Sequence, residues 1–149
     1  MKAQYLGHVV FYVANLEKSL QFYRDLLGFK QVGTIFGGQA AALTSGRTHH
    51  ELLLIEVGSR VPGPPEGPHR GLYHIGIKVG DSLDELRGAL KDLEKAGVEI
   101  DGASDHTVSQ SLYLRDPDGN EVELYVDADP KVWKDDPSAV LAPIKPLRL

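Results

Sequence analysis

Alternation and periodicity divide the chain into two stretches with the same order of elements. His8-Val9-Val10-Phe11-Tyr12-Val13 is β-branched and aromatic and predicts a strand. Leu16, Leu20, Tyr23, Leu26 and Leu27 then recur at helical spacing, which predicts a helix with Asn15 as N-cap and Gly28 at its C-terminal end. Strands are expected over Lys30–Phe36 and Gln39–Thr44, joined at Gly37-Gly38, and over His50–Val57. The stretch from Val61 to Pro68 breaks every pattern. Its prolines cannot donate to a ladder, so it reads as a surface linker over 61–68.

Beyond the linker the pattern begins again. His74-Ile75-Gly76-Ile77-Lys78-Val79 predicts a strand, and Ser82 caps a helix that carries Leu83, Leu86, Leu90 and Leu93 on one face and ends at Ala96-Gly97. Glu85, three residues after Ser82, completes a capping box. Strands follow near Val98–Ile100, Ser111–Arg115 and Glu121–Val126, with Asp116-Pro117-Asp118-Gly119-Asn120 as a tight turn between the last two. The halves match as a duplicated βαβββ unit. The expected fold is α+β: one domain over 1–149, with modules at about 4–58 and 70–127 pairing into a cup-shaped, half-open barrel. The tail, 128–149, is expected to wrap the surface.

Composition removes several function classes. The chain has no cysteine, which excludes a disulfide scaffold, a thiolate zinc site and a cysteine nucleophile. Its net charge is −5 and no Lys/Arg stripe interrupts it, so a nucleic-acid partner is not expected. No apolar run approaches the roughly 20 residues of a membrane span. The first residues enter a strand-like pattern without a signal-peptide apolar stretch, so the expected location is cytoplasmic.

The chemistry lies in the histidines. A lone strand histidine is ordinarily a hydrogen-bonded structural residue. His8 and His74, however, open the first strand of each repeat, so modules paired about a pseudo-twofold axis would bring them together. A carboxylate beside them makes a 2-His-1-carboxylate face, which leaves open positions and suits non-haem Fe(II). Glu121 and Glu123 share one face of the last strand, and period two does not choose between them.

The duplicated unit, the Gly7-His8 start, Tyr73-His74-Ile75-Gly76 and Asp116-Pro117-Asp118-Gly119-Asn120-Glu121-Val122-Glu123-Leu124 resemble the vicinal oxygen chelate superfamily over roughly residues 5–127. That superfamily includes glyoxalase I, extradiol dioxygenases, epimerases, and fosfomycin and bleomycin resistance proteins. The resemblance implies Glu123 as the carboxylate ligand, with Glu121 a strand-edge residue and second candidate. Gly46-Arg47-Thr48-His49-His50 resembles the extradiol segment that carries an acid/base histidine, here His50. Tyr113, ten residues before Glu123, and His106 match the extradiol residues that hydrogen-bond the substrate. His69 receives no role. Large extradiol enzymes duplicate the whole barrel, whereas this chain has the modules of a single barrel, so it resembles the short, single-domain catechol 2,3-dioxygenase-like members.

The resemblance therefore implies a ring-cleaving dioxygenase acting on a small aromatic diol and O₂. His8, His74 and Glu123 would hold Fe(II), or alternatively Mn(II). His50 would move a proton, Tyr113 and His106 would donate hydrogen bonds, and Phe11, Tyr12, Phe36 and Trp133 would form the apolar wall. A symmetric homodimer is the expected assembly. Glyoxalase I-like lyase or epimerase chemistry is the first alternative. It requires a further glutamate ligand on the strand before the linker, where parity with His50 selects Leu52, Leu54 and Glu56, apolar at the middle position. A non-catalytic small-molecule-binding protein of the bleomycin-resistance type is the second.

Overall fold

The structure, a computed structural model, describes residues 1–149 and resolves into two compact units, Met1–Glu66 and Gly67–Leu149. In the first, β1 (Val9–Val13) is followed by α1 (Leu16–Leu20), β2 (Lys30–Ile35), β3 (Ala40–Thr44) and β4 (Leu52–Glu56). The strands form one sheet in the order β1-β4-β3-β2, with β1 parallel to β4 and the other pairs antiparallel. In the second, β5 (His74–Gly80), α2 (Leu83–Lys95), β6 (Ile100–Asp105), β7 (Ser109–Arg115) and β8 (Glu121–Asp127) repeat that topology in the order β5-β8-β7-β6. The duplication is thus one of strand order and direction, as well as of element order.

Asn15 caps α1 by accepting from the Lys18 amide at 2.9 Å, as expected. The Glu56 carboxylate, at the end of β4, accepts from the Leu16 amide at 2.7 Å and closes the same helix start. The helix does not continue as a regular α-helix. Gln21–Leu26 widens into a π-helical stretch, shown by the Leu27 amide bonding back to Phe22. Tyr23 is buried as the helical spacing predicts, but the change of phase puts Phe22 in the core beside it and leaves Leu26 and Leu27 only half-buried. Gly28 follows with φ +80°, a conformation glycine adopts without Cβ strain.

Alternation assigns the faces of the first sheet. Phe11 and Val13 of β1 and Leu52 and Leu54 of β4 are buried on the helix side, with the Phe11 ring stacked 6.2 Å from that of Tyr23. Val10 and Tyr12, and by register Leu53 and Ile55, occupy the opposite, helix-free face. In the second unit Leu86 and Leu93 of α2 pack into a core with Leu112, Leu114, Val122, Leu124 and Val126. Truncating such a leucine to alanine typically costs about 2–5 kcal/mol.

The structure departs from the predicted elements in three places. β6 runs over Ile100–Asp105, beyond the short strand expected at Val98–Ile100, because Asp101-Gly102-Ala103-Ser104 has no apolar alternation to reveal it. β4 begins at Leu52, so His50 precedes the strand. The tail does more than wrap: α3 (Pro130–Asp135) leads to β9 (Lys145–Pro146), which joins the second sheet beside β6. The proline-rich linker carries no regular element. No helix is long and apolar enough to cross a membrane.

Candidate functional site

The helix-free face of the second sheet is polar in successive rows. Register places His74 opposite Glu121 and Glu121 opposite Arg115 in one row, and Gly76 opposite Glu123 and Glu123 opposite Tyr113 in the next. β8 lies between β5 and β7, so Glu121 is interior to the sheet and buried, and the expectation of a strand-edge residue is wrong. Gly76 leaves a gap in the wall beside Glu123: a Cβ there would meet Glu123 Oε2 and the Tyr125 ring at 3.5 Å.

Across these rows runs a continuous chain of contacts. Glu123 Oε2 lies 3.3 Å from His74 Nε2. The other oxygen, Oε1, accepts from the Tyr113 hydroxyl at 3.1 Å, and the Tyr113 oxygen lies 2.6 Å from His106 Nε2. Burial, reinforced by the charge of Glu123 and the hydrogen bond to it, pushes the Tyr113 phenol up to about 12. Tyr113 therefore keeps its proton at neutral pH. That proton is directed at Glu123, so His106 must supply the N–H in its bond to the phenol oxygen.

The two donors facing each other, His74 Nε2 and Glu123 Oε2, have a spacing that fits neighbouring ligands of one cation. Ligands at right angles around an ion with bonds of about 2.1 Å stand roughly 3 Å apart. A nitrogen and a carboxylate oxygen also suit Fe(II) or Mn(II) chemically. Within neither unit do three His, Asp or Glu side chains stand together as a metal-holding group.

Local turns put these residues in place. His106 sits where β6 turns into β7, with its amide donating to the Ser109 carbonyl at 2.8 Å. Asp105 accepts from the Thr107 amide at 2.7 Å, and Thr107 takes φ +72°. A β-branched residue in that region is strained, so the hydrogen bonds of this turn hold it. Ahead of β8, Asp116 Oδ1 accepts from the amides of Asp118 at 3.0 Å and Asn120 at 2.8 Å, while Oδ2 accepts from the Asn120 side chain at 2.9 Å. This turn delivers β8 to the sheet in the register that sets Glu123 opposite Tyr113.

The first unit brings together the other predicted histidines. The rings of His8 and His50 lie 4.6 Å apart, and those of His49 and His50 4.5 Å apart. Desolvation, then the neighbouring charges of His49 and His8, hold His50 below its ordinary range, so it is neutral at pH 7 and able to accept a proton. The Thr44–His50 loop is closed by Glu51, which accepts from the Ser45 hydroxyl at 2.7 Å and the Ser45 amide at 2.9 Å.

The wall residues divide. Phe11 belongs to the core on the helix side and lines no site, since adjacent strand residues face opposite ways and only Tyr12 is on the helix-free face. Phe36 is exposed at the turn between β2 and β3. Trp133, on α3, lines an open cavity of about 610 Å³ together with Val108, Ser109, Tyr125, Asp127 and Val140. The parity of β4 also needs correcting. Leu52 and Leu54 face the helix and Glu56 is spent on capping α1, so the helix-free positions there are Leu53 and Ile55. Those are apolar too.

Sequence comparison places this arrangement in a family. A model of the Glyoxalase/Bleomycin resistance protein/Dioxygenase superfamily matches residues 5–124. The chain belongs to this superfamily. Among superfamily relatives, Catechol-2,3-dioxygenase of Bacillus subtilis (strain 168) is 39% identical over 132 residues, covering 89% of this chain and 45% of that protein. Biphenyl-2,3-diol 1,2-dioxygenase 3 of Rhodococcus globerulus is 34% identical over 133 residues, 82% of this chain and 63% of that protein. The chain thus spans about half to two-thirds of the length of these relatives. The crystal structure of a glyoxalase/dioxygenase from Nostoc punctiforme has the same fold, with a TM-score of 0.70 at 17% identity over 85% of this chain and 92% of that one.

The sequence had named His74, Glu123, Tyr113 and His106 separately, and the second unit brings all four together. The sequence pattern includes Gly76 but assigns no role to it, and it does not draw attention to Arg115 or Asp101. For Arg115 the only signal was its place one turn before Glu121, at a register position legible after the hairpin is drawn.

Proposed function

We propose that this protein is a metal-dependent extradiol dioxygenase that opens the ring of a catechol-type diol with O₂. The observation that carries the reading is the relation of Tyr113, His106 and His74 to Glu123. One carboxylate has a histidine nitrogen on one oxygen and a proton-retaining phenol, itself bonded to a histidine, on the other. A structural ion pair does not need the second half of that arrangement. The identity with a catechol-2,3-dioxygenase supports ring cleavage. The apolar Leu53 and Ile55 speak against the further glutamate ligand that glyoxalase chemistry requires.

In this reading His74 and Glu123 would hold Fe(II), or Mn(II), with His8 as the third ligand on the family resemblance alone. An ion held there would supply Lewis acidity towards the diol and a centre for O₂ activation. His50, neutral at pH 7, takes a proton from a diol hydroxyl and returns it later in the cycle. Tyr113 and His106 stand beside Glu123 with their donors spent on Glu123 and on the phenol oxygen. With substrate bound, the Tyr113 hydroxyl turns from Glu123 to a substrate oxygen, still backed by the His106 N–H, and stabilises negative charge as it builds there. The carbon–carbon bond beside the diol breaks and the product is a ring-opened enol acid that holds both atoms of O₂. The Trp133 cavity is the apolar pocket for the rest of the substrate.

The test is oxygen uptake by Fe(II)-loaded protein with a panel of catechols. The reading expects about one O₂ consumed per diol, with a ring-opened product that absorbs in the near-ultraviolet or visible. Turnover of a hemithioacetal with Ni(II) or Zn(II), and no O₂ uptake with any diol, would replace it with lyase chemistry.

A further inference from the structure

We propose that Glu121 is a positioning residue for His74, accepting the Nδ1–H of the imidazole when Nε2 is committed to a metal ion. The inference rests on the reading of His74 and Glu123 as metal-holding residues. An imidazole presents its two nitrogens on opposite sides of the ring, and here each faces a different carboxylate. Nε2 faces Glu123 at 3.3 Å and Nδ1 faces Glu121 Oε1 at 3.4 Å. Glu121 is 7% exposed, and neither His74 Nδ1 nor Glu121 Oε1 completes a hydrogen bond of good geometry, although both are shut off from water. The Tyr73 hydroxyl is the other group that reaches towards this carboxylate. Two buried polar atoms pointed at each other without a completed bond are an unfinished pair. A small rotation of the ring, as Nε2 turns to a cation, would complete it.

The other oxygen of Glu121 is already fixed. Arg115 Nη2 donates to Oε2 at 2.7 Å, and Arg115 Nε donates to Asp101 at 2.7 Å. The three charged residues come from β8, β7 and β6, and register sets His74, Glu121 and Arg115 in one row. Arg115 is half-exposed and already paired with Asp101, so the buried glutamate is not needed to satisfy it. What Glu121 adds is an acceptor on the far side of the His74 ring. Such an acceptor fixes which nitrogen carries the proton, aims the other, and makes it a better donor to a metal. The same geometry separates the two glutamates that period two could not. A single ring cannot turn both nitrogens to one ion, so the carboxylate on the Nε2 side shares the ion and the carboxylate on the Nδ1 side orients the ring.

The experiment is Mn(II) titration of the full chain by calorimetry for the wild type, Glu121→Ala, Glu121→Gln, Arg115→Met and Glu123→Ala. Glu121→Ala should weaken Mn(II) binding about 10–100-fold, with Glu121→Gln recovering part of it, because its one amide oxygen can accept from His74 only by giving up Arg115. Arg115→Met should fall between them, and it keeps the test open if Glu121→Ala folds poorly. In ¹⁵N-histidine spectra of the Zn(II)-loaded wild type, His74 should carry its proton on Nδ1. Unchanged Mn(II) affinity in Glu121→Ala and Arg115→Met, with thermal stability alone reduced, would overturn the proposal and leave Glu121 a structural residue. A wild type that binds no Mn(II), indistinguishable from Glu123→Ala, would overturn the metal reading itself, and this inference with it.

Discussion

Tyr113 and Glu123 face each other directly across β7 and β8, and the phenol donates to the carboxylate oxygen that is turned away from His74. The pairing couples a residue held protonated to one suited to a cation, with His106 behind the phenol to fix its direction. Removing the hydroxyl in Tyr113→Phe should leave metal content near the wild-type level and lower kcat by about 10²-fold, the loss typical of one oriented donor. Steady-state oxygen uptake together with elemental analysis checks both halves. Loss of the metal in this variant would show that Tyr113 supports the ligand and not the reaction.

His50 should behave differently from its neighbour His8. His50→Ala is expected to retain metal and lose most of its turnover, by about 10²–10⁴-fold, since it removes a proton carrier and no ligand. His8→Ala should lose the metal. Equal metal loss in both would make His50 a ligand or a structural residue.

The loop that presents His50 should respond to acid through Glu51. Burial pushes this carboxylate up, but the hydrogen bonds from Ser45 outweigh it and the net shift is downward from the ordinary 4.5. A carboxylate with a depressed folded value binds protons less readily folded than unfolded. Its stabilisation is therefore present above the unfolded value and is lost as pH falls through the folded one. Urea midpoints of metal-free protein should drop more steeply below about pH 4.5 in the wild type than in Glu51→Gln. Parallel pH profiles would show that the loop closure adds nothing.

Much of this was legible in the sequence, and the exceptions have physical reasons. Asn15, Ser82, Gly28 and the turn at Asp116 act through local hydrogen bonds and backbone conformation, which residue type encodes directly. The duplicated sheet follows from repeated alternation. β6 escaped because Asp101, Gly102, Ala103 and Ser104 owe their strand to pairing with β7 and not to an apolar face of their own. Phe11 and Tyr12 were both named for the wall although alternation admits only one of them, and packing against Tyr23 decides which is core. Glu121 and Glu123 are equivalent by period two. The family resemblance favours Glu123, and their neighbours tell them apart: Glu123 faces His74 Nε2 and Tyr113, whereas Glu121 faces His74 Nδ1 and Arg115.

Trp133 is the sole tryptophan of the chain and lines the cavity beside Tyr125, so its emission reports on that pocket without a label. Anaerobic titration with an aryl-substituted catechol should quench or shift Trp133 fluorescence saturably, while Trp133→Phe should raise KM more than it lowers kcat. A spectrum that stays unchanged at saturating substrate would place the substrate elsewhere.

The most direct test is the metal content of protein purified without oxygen, compared among the wild type, His74→Ala and Glu123→Ala. About one Fe or Mn per wild-type chain, falling to near zero in both variants, is the predicted result. Full metal content in either variant, or a wild-type protein that stays empty when offered Fe(II), would contradict the assignment of these two residues and the oxygen chemistry built on them.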